Sequence, residues 1–148
     1  MLRFRPLALA LSLLVASFVV PAAALAASER EVSWLFILQG EVIAIEGDRI
    51  TMAAAPGALA FTDRPERRVR PIDLATVLGF WREGGEFRAD PPNAALISET
   101  EDTIGVIEIT DIVGEGDRVV MTFNTLGGGL PAVGDSIALT IDGCGCGR

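Results

Sequence analysis

The 148 residues are 50% apolar and carry 20 acidic side chains against 12 Arg, with no Lys and no His, for a formal net charge of −8. The absence of His excludes Ser-His-Asp and Cys-His catalysis and His-based zinc sites within the chain, so any catalysis falls to carboxylates or thiols. The acidic balance argues against nucleic acid and anionic membrane surfaces as partners, because binding either one draws on a basic face.

In chain order, Arg3 and Arg5 precede an apolar run over residues 7–20, then Pro21 and small residues ending Ala24-Leu25-Ala26. This is the pattern of a secretory signal over residues 1–26, cleaved after Ala26. The apolar run is shorter than the roughly 20 residues needed to span a bilayer. No Cys follows the small residues and no twin Arg precedes them, so the expectation is a bacterial protein exported by the general secretory route. It should be periplasmic or extracellular and free of the membrane once the signal is removed. Losing Arg3 and Arg5 takes the net charge from −8 to −10. What remains is long enough to bury a core without disulfides or a metal, so one domain over 27–142 and no cofactor are expected, with a Gly/Cys tail over 143–148.

The mature chain reads as short strands. Residues 34–38 form a continuous apolar run suited to a buried strand, and a Val- and Ile-rich stretch follows over 41–46. Gly47-Asp48 offers a two-residue hairpin turn with Gly first, and Arg49-Ile50-Thr51-Met52 leaves it in alternation. Leu59 and Phe61 alternate through another short strand. Asp73 is placed to cap a helix over about 73–83, in which Leu74, Val77, Leu78 and Trp81 share one stripe before Gly84-Gly85 ends it. Such a stripe reads as a lid over an open end of a sheet.

Residues 104–110 are β-branched and mostly apolar, Val119, Met121 and Phe123 share a face, and Ile137, Leu139 and Ile141 share another. The fold class predicted is mainly β: an antiparallel sandwich or partly closed barrel of seven to eight strands with one short capping helix. Residues 46–52 recur almost intact at 115–121. Gly-Asp turn chemistry accounts for this, with Gly134-Asp135 as a third such turn, and a duplicated β unit is the alternative.

Phe61-Thr62-Asp63-Arg64-Pro65-Glu66-Arg67, the helix bearing Trp81, and Asp90-Pro91-Pro92-Asn93-Ala94 together form a pattern spanning residues 59–98. It resembles a family of small secreted bacterial proteins that have no assigned function. The resemblance implies a secreted domain and supplies no catalytic residues. This chain differs from the family in the basic stretch at Arg67–Arg70 and in its Cys-bearing tail.

Candidate functional residues follow from residue choice. Arg64, Arg67, Arg68 and Arg70 against Asp63 and Glu66 make residues 63–70 net +2 in an otherwise acidic chain. They either clamp an anion bidentately or, as the simpler expectation, pair with surrounding carboxylates. Asp90-Pro91-Pro92-Asn93 should be stiff and extended, with Asn93 placed for a structural hydrogen bond or for ligand contact. The candidate binding loops are therefore those of Asp63, Arg64, Arg67, Arg68, Asp90 and Asn93. Cys144 and Cys146 offer a strained disulfide or a soft-metal site.

The function predicted is a binding or structural module rather than an enzyme, whose ligand or protein partner the sequence does not identify. The alternatives are metal or thiol-redox handling through Cys144 and Cys146, and a polysaccharide hydrolase using Asp63 and Asp90 with Phe80 and Trp81 as a stacking wall.

Overall fold

The computed structural model describes residues 32–143. Eight antiparallel strands follow in order: β1 (Trp34–Glu46), β2 (Arg49–Ala54), β3 (Gly57–Thr62), β4 (Val69–Asp73), β5 (Asn93–Ser98), β6 (Ile104–Glu115), β7 (Arg118–Gly128) and β8 (Ser136–Ile141). Between β4 and β5 lie α1 (Leu74–Leu78), a 3₁₀ turn (Gly79–Trp81) and a second helical turn, α2 (Glu86–Ala89). The sheet order is β2-β7-β6-β5-β8-β1-β3-β4, and an added β1–β2 pairing closes six strands into a barrel. Of the two expected architectures the barrel is the one found, closed by its six-strand core and extended by the β3–β4 hairpin.

The length of β1 makes this closure work. Its second half pairs with β2 and its first half with β3, so β2 and β3 lie end to end along one side of β1. The chain breaks at Ala55-Pro56, where Pro cannot donate to a ladder. Beyond the break β3 leaves the barrel and takes β4 as its neighbour.

The recurrent heptad forms two hairpins of the same register, Glu46 opposite Arg49 and Glu115 opposite Arg118. Gly47 has φ 62° and Gly116 φ 67°, the positive backbone angle that the sequence pattern requires of the first turn residue. The likeness extends past the turns. Thr51 and its counterpart Val120 pair with each other in β2–β7, while β8 flanks β1 as β5 flanks β6. The pairing order of β8-β1-β2 is thus matched by that of β5-β6-β7, and β2 meets β7 at the Thr51–Val120 pair.

The alternating inward residues make one core, including Phe36, Leu38, Ile50, Met52, Leu96, Ile107, Ile109, Met121, Ile137 and Leu139. The stripe predicted on the helix is buried as a lid should be, with Val77 and Trp81 in that core and Leu74 and Leu78 packed against it. The helix itself is shorter than the sequence indicates. It tightens to 3₁₀ at Gly79, a poor helix former, and Arg82 is extended. Asp73 occupies the N-cap position, but its side chain makes no capping hydrogen bond.

The outward face of the sheet departs from ordinary alternation. Three rows of mutually paired positions cross it: Val69, Phe61 and Leu35; then Pro71, Leu59, Ile37, Thr140, Ala95 and Val106; then Ala138, Ile97 and Ile104. Gln39, opposite Ala138, completes the third row; Gln39 and Thr140 are polar, and none of these positions is charged. The apolar runs at 34–38 and 104–107 are therefore covered by the core on one face only. Antiparallel sheets that meet water on one side normally carry polar residues there.

Candidate functional site

A one-residue irregularity in β6 sets up the most chemically distinctive surface. Ile109 pairs with Phe123 and Asp111 with Thr122, leaving Thr110 as a bulge. Before it the odd-numbered side chains Ile107 and Ile109 are buried; after it Ile112 is buried, and Asp111 and Val113 turn outward. The bulge also presents the Ile109 carbonyl to the lid, where Trp81 Nε1 donates to it at 3.1 Å. Trp81 in turn packs on Phe87, with ring centroids 4.6 Å apart, and Phe87, Phe80 and Phe36 continue the cluster. This fixes α1 and the 3₁₀ turn beside β6, in the gap that opens where β3 parts from the β6–β7 hairpin.

Between the lid and the hairpin runs a groove of about 1020 Å³. Leu74, Leu78, Trp81, Ile112 and Val113 give it an apolar floor, while Arg82, Arg88 and Arg118 stand around it with Glu83 and Asp111. Arg88 Nη1 lies 3.6 Å from Asp111 Oδ1, and Asp111 Oδ1 also accepts the Ile112 N–H at 3.0 Å. Among the described residues that is the single ion pair, and both side chains are about half exposed, so the pair contributes little. Arg82 and Arg118 carry no carboxylate partner among the described residues. The groove is therefore cationic by one charge within a strongly acidic chain, and its floor is apolar. None of its Arg residues was singled out by sequence reasoning. They come from three separate elements, and only the fold assembles them.

The sequence candidates fall elsewhere. Asp63, Arg64, Arg67 and Arg68 form the β3–β4 hairpin, where Asp63 Oδ1 accepts the Arg64 N–H at 2.7 Å and the Arg68 N–H bonds Thr62 Oγ1 at 2.9 Å. The expected pairing of these Arg residues with carboxylates is not found among the described residues. Arg70 lies instead over the Trp34 ring, 4.3 Å from its centroid. Asp90 and Asn93 sit at the α2–β5 junction, at the same end of the sheet. There Asn93 contributes its backbone carbonyl to Asp142 N–H at 2.8 Å, so the loop is tied to the end of β8 and not to the lid.

β3 and β5 are separated by β1 and β8, so Asp63 and Asp90 are carried at the ends of strands that do not neighbour one another. The groove beside Asp90, about 600 Å³, is lined by Glu86, Asp90 and Asp142 with no Arg. Phe80 and Trp81 are committed to the aromatic cluster of the core. Cys144 and Cys146, and the signal segment, lie outside the described residues. Among the described residues no group of three or more acidic, His or Cys side chains is placed to hold a metal, and no helix is long and apolar enough to cross a membrane.

The chain matches no family model, no curated protein and no solved structure.

Proposed function

We propose that the chain is an exported binding module, not an enzyme, and that it takes a small amphipathic anion in the groove between the lid and the β6–β7 hairpin. The observation that carries this reading is the pairing of an apolar floor with Arg82 and Arg118, which have no carboxylate partner among the described residues. An isolated guanidinium recognises a carboxylate, sulfate or phosphate through its fork of donors, and the apolar floor favours a ligand with a hydrocarbon body. Export follows from the N-terminal pattern, and the resemblance to small secreted proteins agrees with it.

Isothermal titration with octanoate tests the reading, with octanamide as the uncharged control. Octanoate should bind, octanamide should bind at least about tenfold more weakly, and Arg82→Glu/Arg118→Glu should abolish the preference. Raising the salt concentration should weaken octanoate binding, because the rim is solvent-exposed. Equal binding of the two ligands, or binding unchanged in the double variant, would contradict the proposal.

A further inference from the structure

We infer that the groove binds the C-terminal end of an extended peptide, which adds as a short strand to an unpaired stretch of β6. This inference rests on the anion reading above and names its class of ligand: the terminal carboxylate meets the Arg residues while the peptide backbone meets the sheet.

The first observation is that the second half of β6 has one neighbour only. β5 pairs with β6 as far as Glu108, opposite Asn93, whereas β7 accompanies β6 to Glu115. One residue further on, the Ile109 N–H donates to the Pro92 carbonyl at 2.9 Å. Past the bulge no strand lies on that side of β6, and the lid stands there instead. Residues 111–114 all line the groove. Successive residues of a strand point to opposite faces, so a groove lined by four in a row follows the edge of β6 and not one face of it.

The second observation is which backbone groups this edge leaves unused. Glu115 and Arg118 flank a two-residue turn as a hydrogen-bonded pair, so by alternation Gly114–Val119 and Ile112–Met121 are non-hydrogen-bonded pairs. The N–H and C=O groups of Gly114 and Ile112 therefore point away from β7. Asp111 Oδ1 takes the Ile112 N–H at 3.0 Å. The Gly114 N–H and C=O and the Ile112 C=O have no partner among the described residues. Such groups are what an added peptide strand pairs with. Gly114 is exposed, and with no side chain it lets another backbone approach closely.

The third observation sets the direction of the peptide. Trp81 Nε1 occupies the Ile109 carbonyl, so an added strand stops at the bulge. It ends beside Arg82, which has no carboxylate partner among the described residues, and Arg88, whose Nη1 is 3.6 Å from Asp111 Oδ1. A chain end suits a closed edge better than an internal segment, and the cations select the carboxyl end. The peptide then runs from the hairpin tip toward the bulge, antiparallel to β6. One of its residues exchanges both hydrogen bonds with Gly114, and the residue two further on donates its N–H to the Ile112 carbonyl. The side chains of these two residues lie on the same face as Ile112, toward the apolar floor of Leu74 and Leu78. From the bulge to the tip the edge runs about 20 Å, room for roughly five residues.

The test is isothermal titration of the full exported chain with acetyl-Ser-Thr-Val-Thr-Val as the free acid, as its C-terminal amide, and as free acids carrying one backbone N-methyl group at each residue in turn. The free acid should bind more tightly than octanoate, and the amide at least about tenfold more weakly than the acid. N-methylation should weaken binding at least about tenfold at two residues, separated by one at which it changes affinity less than about twofold, because only alternate N–H groups face the edge. The protein is unaltered throughout, so no variant has to fold. Octanoate binding without peptide binding, or a methylation series without that alternation, overturns the inference and leaves the anion reading intact. Acid and amide bound equally overturn it too, and the anion reading falls with it where octanoate and octanamide are also alike. Sedimentation of the same samples under reductant, showing a dimer that the peptide does not dissociate, overturns the inference as well, since a second copy then holds the edge.

Discussion

Trp34 and Trp81 are buried to a similar degree, at 5% and 3% exposure, but their indole N–H groups differ in fate. Trp81 Nε1 donates to the Ile109 carbonyl, whereas Trp34 Nε1 has no partner among the described residues. Replacing Trp by Phe removes similar volume at both places and leaves an aromatic face under Arg70 at position 34, so the main difference is the hydrogen bond. Trp81→Phe should cost more than Trp34→Phe by about 1 kcal/mol or more, read as a lower urea midpoint at unchanged m; equal costs would refute this reading. Asp135 offers a second test. It is 7% exposed and accepts from Ala132 N–H at 2.9 Å, Thr100 Oγ1 at 2.8 Å and Ser98 Oγ at 3.1 Å, latching the β7–β8 connection to the β5–β6 turn. The Ala132 N–H, then the Thr100 and Ser98 hydroxyls, hold its carboxyl below the usual range against the opposing effect of burial. Its contribution is therefore complete above the unfolded carboxyl range and is lost as pH falls through the lower folded value. The wild type should lose its stability advantage over Asp135→Asn as pH drops below about 4, in thermal unfolding followed across pH. A constant difference between the two curves would contradict this.

The hairpins at Gly47 and Gly116 are the elements most directly dictated by sequence. A positive φ suits Gly and penalises a side chain, so Gly47→Ala and Gly116→Ala should each destabilise by about 1–2 kcal/mol in denaturant unfolding, whereas a neutral effect at both would count against the shared turn geometry. The strands around these turns were legible for the same local reason, since alternation and turn residues agree. β4 was not legible: Arg70 and Pro71 break its alternation, and it is a strand because β3 offers it an edge. The helix was legible in its stripe but not in its length, since Gly79 lets the turn tighten while Trp81 is drawn to the bulge. The bulge at Thr110 left no sequence signal, and without it the positions of Asp111 and Val113 could not be read. The apolar outer face left an ambiguous one. A continuous apolar run looks the same whether a sheet is covered on both faces or on one.

On the scale of the whole molecule, closure of six strands leaves β4 as the free edge, short and interrupted by Pro71, which blunts it against further pairing. The barrel core should accordingly be the most resistant part: Leu96→Ala, in fully buried β5, should cost about 2–5 kcal/mol in denaturant unfolding, and a loss below 1 kcal/mol would show that the core packs otherwise. The three notable surfaces are separate on this frame. The cationic groove lies between the lid and the β6–β7 hairpin, the uncharged rows cross the outer face, and the Asp90–Asn93 loop sits at the barrel end near the start of the tail. Anion binding has to be assigned among them by position as well as by affinity. The most direct measurement is amide hydrogen exchange of the full exported chain with and without saturating octanoate. Slower exchange confined to residues 74–82 and 111–118 is the predicted result. Protection centred on 63–68 or 90–93, or none at all, would contradict the placement of the site in the groove.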